Sequence, residues 1–197
     1  MEAAKRKTNM SKGFNRQNIS SKNAAILHRV YEDLESFSNG RRDYIPCFKE
    51  EFGKLKKIVM YYPYTEVVID CEKNNITING EKQHVHFSDV MLDKIFKEYN
   101  NYKKGLLDMV RKDLLYFPDR RISQRFFKGE MVGISIDSPR YGNAKVSKSM
   151  IEIEKRISFN IEEGNRKIVK QKIVKHADNI VDNAIIYFAL KKMGYNK

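Results

Sequence analysis

Apolar residues recur at two different periods along this 197-residue chain, and the switches between them mark out its elements. Leu27, Val30, Tyr31, Leu34 and Phe37 follow the three-and-four spacing of a helix face. Ser20 or Ser21 can cap the start of that helix, and Asn39-Gly40 supplies its stop. Pro46, followed by Phe48, Phe52 and Leu55 along one side, predicts a second short helix over 46–55. From Lys57 the period shortens. Residues 58–62 and 67–71 are β-branched and aromatic, and 76–78 follow a turn at Lys73-Asn74-Asn75. Asn79-Gly80 predicts a tight hairpin whose returning strand is 84–87, so 57–87 reads as an antiparallel meander.

Ser88 caps the next helix, which carries Met91, Leu92, Ile95, Phe96 and Tyr99 on one face. Gly105 is expected to break or bend it before Leu106, Leu107, Met109, Val110, Leu114 and Phe117 continue the pattern to Pro118. A further short helix over 119–128 would turn Ile122, Phe126 and Phe127 inward. Residues 131–137 read as a strand and 138–143 as a loop. Ile151, Ile153, Ile157, Phe159 and Ile161 all hold odd positions, which predicts a strand over 150–161 with a bend near Lys155. Val169, Ile173, Ala177, Ile180, Ala184, Phe188 and Met193 predict a long C-terminal helix over 166–193.

The expected class is therefore α+β. A small antiparallel sheet, built from the meander near 57–87 and strands near 131–137 and 150–161, packs with helices that include the long C-terminal one. Residues 1–19, rich in Lys, Asn, Arg and Ser, read as a disordered basic arm ahead of a single domain over 20–197.

Composition narrows the function. Apolar residues make up 41%, enough for a core. No apolar run approaches the roughly 20 residues of a membrane helix, so no membrane partner is expected. No apolar signal stretch follows the N-terminus. Two cysteines, Cys47 and Cys71, exclude a disulfide scaffold and point to an intracellular site, cytoplasmic or nuclear. Lys and Arg number 38 against 25 Asp and Glu, a net of +13. Residues 1–22 hold +5, residues 163–197 another +5, and the middle only +3. Such ends suit an arm and a helix that follow a phosphate backbone. The same charge also favours solubility and would attract other acidic partners.

Two constellations carry candidate chemistry. Arg120, Arg121, Arg125 and Lys128 cluster around Phe126 and Phe127, and Arg140, Tyr141, Lys145 and Lys148 follow in and after the next loop. Lys170 and Lys175 add a basic face to the last helix. Arg can grip phosphate with a planar fork, and an exposed aromatic can stack on an unpaired base. The second constellation is acidic. Asp70 and Asp137 end strands, while Asp178 and Asp182 stand four apart on one helix face. The run Val67-Val-Ile-Asp-Cys-Glu-Lys-Asn74, with Asp178-Asn-Ile-Val-Asp-Asn-Ala-Ile185, resembles the first and last acidic motifs of RuvC-type Holliday junction resolvases. That resemblance implies that Asp70, Asp137, Asp178 and Asp182 would be ligands of Mg²⁺ for phosphodiester cleavage. The chain departs from the family's pattern in lacking the glycine after the first Asp and in spacing the helix acids by four.

Residues 67–99, with Ile76-Thr-Ile-Asn-Gly80 before a helix at 88–99, are similar to the opening of response-regulator winged-helix domains. That similarity implies a recognition helix at 146–156, where the odd-position alternation reads as strand instead. His84 and His86, with Cys71, offer three zinc-type ligands where a structural site needs four.

The expected function is nucleic-acid binding, to DNA or RNA, mainly through backbone phosphates, in replication, transcription or genome packaging. No cofactor is expected for it, and a homo-oligomer is compatible with it. The alternatives are a Mg²⁺-dependent RuvC-like nuclease and a viral structural or assembly protein whose basic arm condenses a genome.

Overall fold

The computed structural model describes residues 14–16, 21–116, 122–176 and 180–194. The chain forms two compact units, Met1–Asn101 with Ile157–Val169 and Tyr102–Arg156 with Lys170–Lys197. Both are mixtures of helix and antiparallel strands, so the α+β class holds.

In the first unit, α1 (Ser21–Ser38) buries Leu27, Val30, Leu34 and Phe37 completely, the residues its spacing selects. A five-stranded sheet runs in the order β2 (Cys47–Glu51), β3 (Lys54–Tyr62), β4 (Thr65–Asp70), β5 (Asn75–Ile78) and β6 (Glu81–Gln83). Alternating side chains, among them Ile58, Met60, Tyr62, Val67, Ile69, Ile76 and Ile78, enter the core. Phe48 lies 4.9 Å from Phe37 and 4.5 Å from Tyr99, ring centroid to centroid. Tyr62 donates its hydroxyl hydrogen to Asp33 Oδ2 at 2.8 Å. A separate short pair joins β1 (Phe14–Arg16) to β7 (Val85–Phe87). Ser88 caps α2 (Asp89–Tyr116), its Oγ accepting from the Met91 amide at 3.3 Å.

The second unit is built on a meander in the order β12 (Asn165–His176), β11 (Met150–Glu162), β10 (Gly142–Val146), β9 (Glu130–Ser138) and β8 (Ile122–Phe127). The stretch Ile157–Val169, from the far ends of β11 and β12, belongs to the first unit. The last helix, α3 (Ile180–Lys192), buries Ile185, Ile186 and Ala189. Lys192 Nζ donates to the carbonyls of Leu114 and Leu115, closing the end of α2.

Several sequence expectations are corrected. The long C-terminal helix is absent: Asn165–His176 is strand and only Ile180–Lys192 is helical. Val169 and Ile173 stand four apart, an even number, so they share a face in a strand as well as in a helix. The intervening Gln171 is buried beside Ile173, the signature of alternation. Phe188, expected in the core, is 40% exposed.

The helix expected over 46–55 is the β2–β3 hairpin, turning at Phe52-Gly53. The helix expected over 119–128 is, from Ile122 onward, β8. Gly105 does not interrupt α2. The Asn79-Gly80 hairpin returns at Glu81–Gln83 rather than at 84–87. The expected loop over 138–143 is a shorter turn, with β10 already begun at Gly142.

Asn79 holds its turn in two ways. Its backbone adopts φ +49°, its Oδ1 accepts from the Glu66 amide at 2.7 Å, and its Nδ2 donates to the Tyr64 carbonyl at 3.2 Å. Asn tolerates this left-handed geometry better than other chiral residues. Asn79→Ala is expected to lower stability by about 1–2 kcal/mol through strain and lost hydrogen bonds. Urea unfolding checks this, and an unmoved midpoint would contradict it.

Candidate nucleic-acid interface

Folding gathers the positive charge into one unit. The second unit holds 19 Lys and Arg against 9 Asp and Glu, a net of +10. The first holds 19 against 16, a net of +3. The cationic C-terminal segment and the cationic stretch 102–156, which look unrelated along the chain, thus belong to the same unit.

The sheet of that unit has an apolar and a polar face. Ala144 is in register with Ile136 and Ile153, and Val146 with Ile134 and Ile151, all of them buried. The alternate positions are polar. Glu152 lies between two ammonium groups, Lys172 at 2.6 Å and Lys145 at 3.3 Å. Burial works to raise its pKa, but the hydrogen bonds and charges of Lys172 and Lys145 together hold the carboxyl below its usual range. Lys170 pairs with Glu154 at 3.2 Å, and Asn143 Nδ2 donates to Asp137 Oδ1 at 2.8 Å. Lys145 and Lys170, expected to meet phosphates, therefore already have carboxylate partners.

The remaining expected contacts divide. Arg140 is ion-paired with Asp113 while half exposed. Tyr141 is 0% exposed, so its ring is not available to a base. Burial, and then the Asp113 carboxylate, push its hydroxyl pKa upward. Lys148 is exposed in the turn between β10 and β11, and Lys175 is half-buried on β12 rather than on a helix. Arg120 and Arg121 lie outside the described residues.

The largest correction concerns Phe126 and Phe127. Both were expected inward, yet they are 61% and 65% exposed. They stand on edge strand β8, which turns into β9 through Lys128-Gly129 at φ +51° and +84°. Lys128 Nζ lies 5.6 Å from the Phe127 ring centroid, and Arg125 precedes the pair. The missed signal was Lys-Gly acting as a two-residue hairpin turn, a role usually marked by Asn-Gly.

The acidic constellation does not form a described site. Asp70 belongs to the first unit and accepts from the Glu72 and Lys73 amides at 3.1 and 3.0 Å, an ordinary turn role. Asp137 belongs to the second unit. Asp178, and the side chain of Asp182, lie outside what is described. Among the described residues no three His, Cys, Asp or Glu side chains gather to hold a metal. His86 Nδ1 is engaged by the Asn74 carbonyl, and burial with nearby Asp70 and Glu72 pushes the Cys71 thiol up to about 12. The recognition helix implied at 146–156 is replaced by β10 and β11 strand. Among the described residues, no helix is long and apolar enough to cross a membrane.

Compared with protein families, with curated proteins and with solved structures, the chain matches none.

Proposed function

We propose that this protein binds nucleic acid through its second unit, chiefly by contacts to backbone phosphates. The observation that carries this reading is the net charge of +10 in that unit, against +3 in the other. A polyanion with one charge about every 1.7 Å of duplex axis is the natural counterpart of so many cations, because each contact releases condensed counterions. Exposed Lys104, Arg111, Lys112, Lys148 and Arg156 contribute to this charge from α2, from the turn between β10 and β11, and from the middle of β11. The ion pairs of Lys145, Lys170 and Lys172 with Glu152 and Glu154 fix part of the polar sheet face, leaving phosphate contact to the cations outside that network.

The test is incubation of the purified chain with labelled single-stranded, duplex and branched DNA and RNA, with and without Mg²⁺. Binding at low salt without any change in the oligonucleotides is expected. Absence of binding to all of them would overturn the proposal, and Mg²⁺-dependent cleavage would replace it with the nuclease reading.

A further inference from the structure

We infer that the β8–β9 hairpin of the second unit is a stacking platform for unpaired bases, so that the preferred ligand is single-stranded nucleic acid. This rests on the phosphate-binding reading above and names the form of nucleic acid it applies to. Phe126 and Phe127 are neighbours in one strand, and side chains of successive strand residues point to opposite faces. In a strand laid flat on a core one of the two would be buried. Here both are more than half exposed, and every residue from Ser123 to Val132 is exposed or half-buried. The hairpin tip therefore offers an aromatic ring on each side.

Its backbone is built for that presentation. The register of β8 against β9 shifts between Arg125 and Phe126, so that Arg125 faces Gly133 while Phe126 faces Met131. This bulge leaves Val132, itself 38% exposed, as the extra residue and re-aims the strand beyond it. Large exposed apolar groups, one on each side of the hairpin tip, ask for an occupant. The flanking chemistry selects which one. Arg125 and Lys128 bracket the two rings, and the unit around them is strongly cationic. A ligand that is anionic along its backbone and flat and apolar on its side groups satisfies both features, and a single strand with unstacked bases is such a ligand. In a duplex the bases are already stacked on one another, so the rings gain little there.

The experiment compares labelled oligo-dT, an abasic strand of the same length and a duplex, using the full chain. Wild type should bind oligo-dT about tenfold or more tighter than the abasic strand, which presents the same phosphates and no bases. Phe126→Ala/Phe127→Ala should bind oligo-dT only as well as wild type binds the abasic strand. Its duplex affinity and salt slope should be unchanged, and Phe126→Tyr/Phe127→Tyr should restore the preference. Equal wild-type binding to oligo-dT and the abasic strand would overturn the inference while leaving phosphate binding intact. So would an equal loss of duplex affinity in the Ala variant, or a changed oligomeric state in place of changed binding. Failure to bind any of the three ligands would instead remove the underlying proposal.

Discussion

Gly133→Ala is expected to be among the most destabilising single changes available in the second unit. Gly133 lies in β9 at the bulge that faces Arg125. A Cβ there would stand 2.1 Å from the Val146 carbonyl oxygen, 3.1 Å from its carbonyl carbon and 3.2 Å from the Ser147 Cα. All three are backbone atoms of β10 and the turn after it, so no side-chain rotation relieves the overlap. Val146 is paired with Ile134 on one side and Ile151 on the other, which ties any shift of its carbonyl to two strand pairs. Strain and overpacking of this kind should cost about 3–5 kcal/mol, a large share of the roughly 5–15 kcal/mol that holds a domain folded. Gly129→Ala is the control. Its φ is +84° with open space around the added atom, so only conformational strain of about 1 kcal/mol is expected. Chemical unfolding followed by circular dichroism separates the two. Equal effects would show that the close approach at Gly133 is relieved at little cost.

The second large effect concerns binding. Lys104, Arg111, Lys112 and Arg156 are exposed cations of the second unit, none of them in a salt bridge among the described residues. Changing all four to Gln should lower the log–log salt slope by about two to three and weaken duplex binding on the order of a hundredfold at low salt. Stability should stay within about 0.5 kcal/mol per site, because exposed charges contribute little to folding. Removing four exposed cations of the first unit, Lys54, Lys73, Lys82 and Lys94, alters net charge equally. It should leave the slope nearly unchanged. Equal losses from both sets would mean that binding follows net charge alone and is not placed on the second unit.

The fold was legible where one period admits one structure. The spacing of Leu27, Val30, Leu34 and Phe37 fits only a helix, and all four are buried. The odd positions 151, 153, 157 and 159 fit only a strand, and all four are buried in β11. It was illegible where a spacing of four serves both, as for Val169 and Ile173, and β12 was there read as helix. The tight turns give the same lesson. Asn79-Gly80, Phe52-Gly53 and Lys128-Gly129 share nearly the same φ pair, +49° and +85°, +50° and +76°, +51° and +84°. Only the first has the residue that favours positive φ intrinsically, so only that hairpin was visible in advance. The other two are held by the strand pairing on either side of them. The candidate interface suffered from the same blind spot. Once Lys128-Gly129 is known to be a turn, Phe126 and Phe127 belong to a hairpin tip instead of a helix face, and their exposure follows. The charge of the second unit was present in the sequence but dispersed along it, because a unit assembled from two distant segments has no linear signature.

The most direct test of phosphate binding is the salt dependence of wild-type affinity for a labelled duplex, followed by fluorescence anisotropy across a series of KCl concentrations. Neutralisation of about five phosphates predicts a log–log slope of about −4 to −5, which corresponds to several hundredfold weaker binding between about 50 and 200 mM salt. A flat dependence, or no binding at the lowest salt, would contradict it.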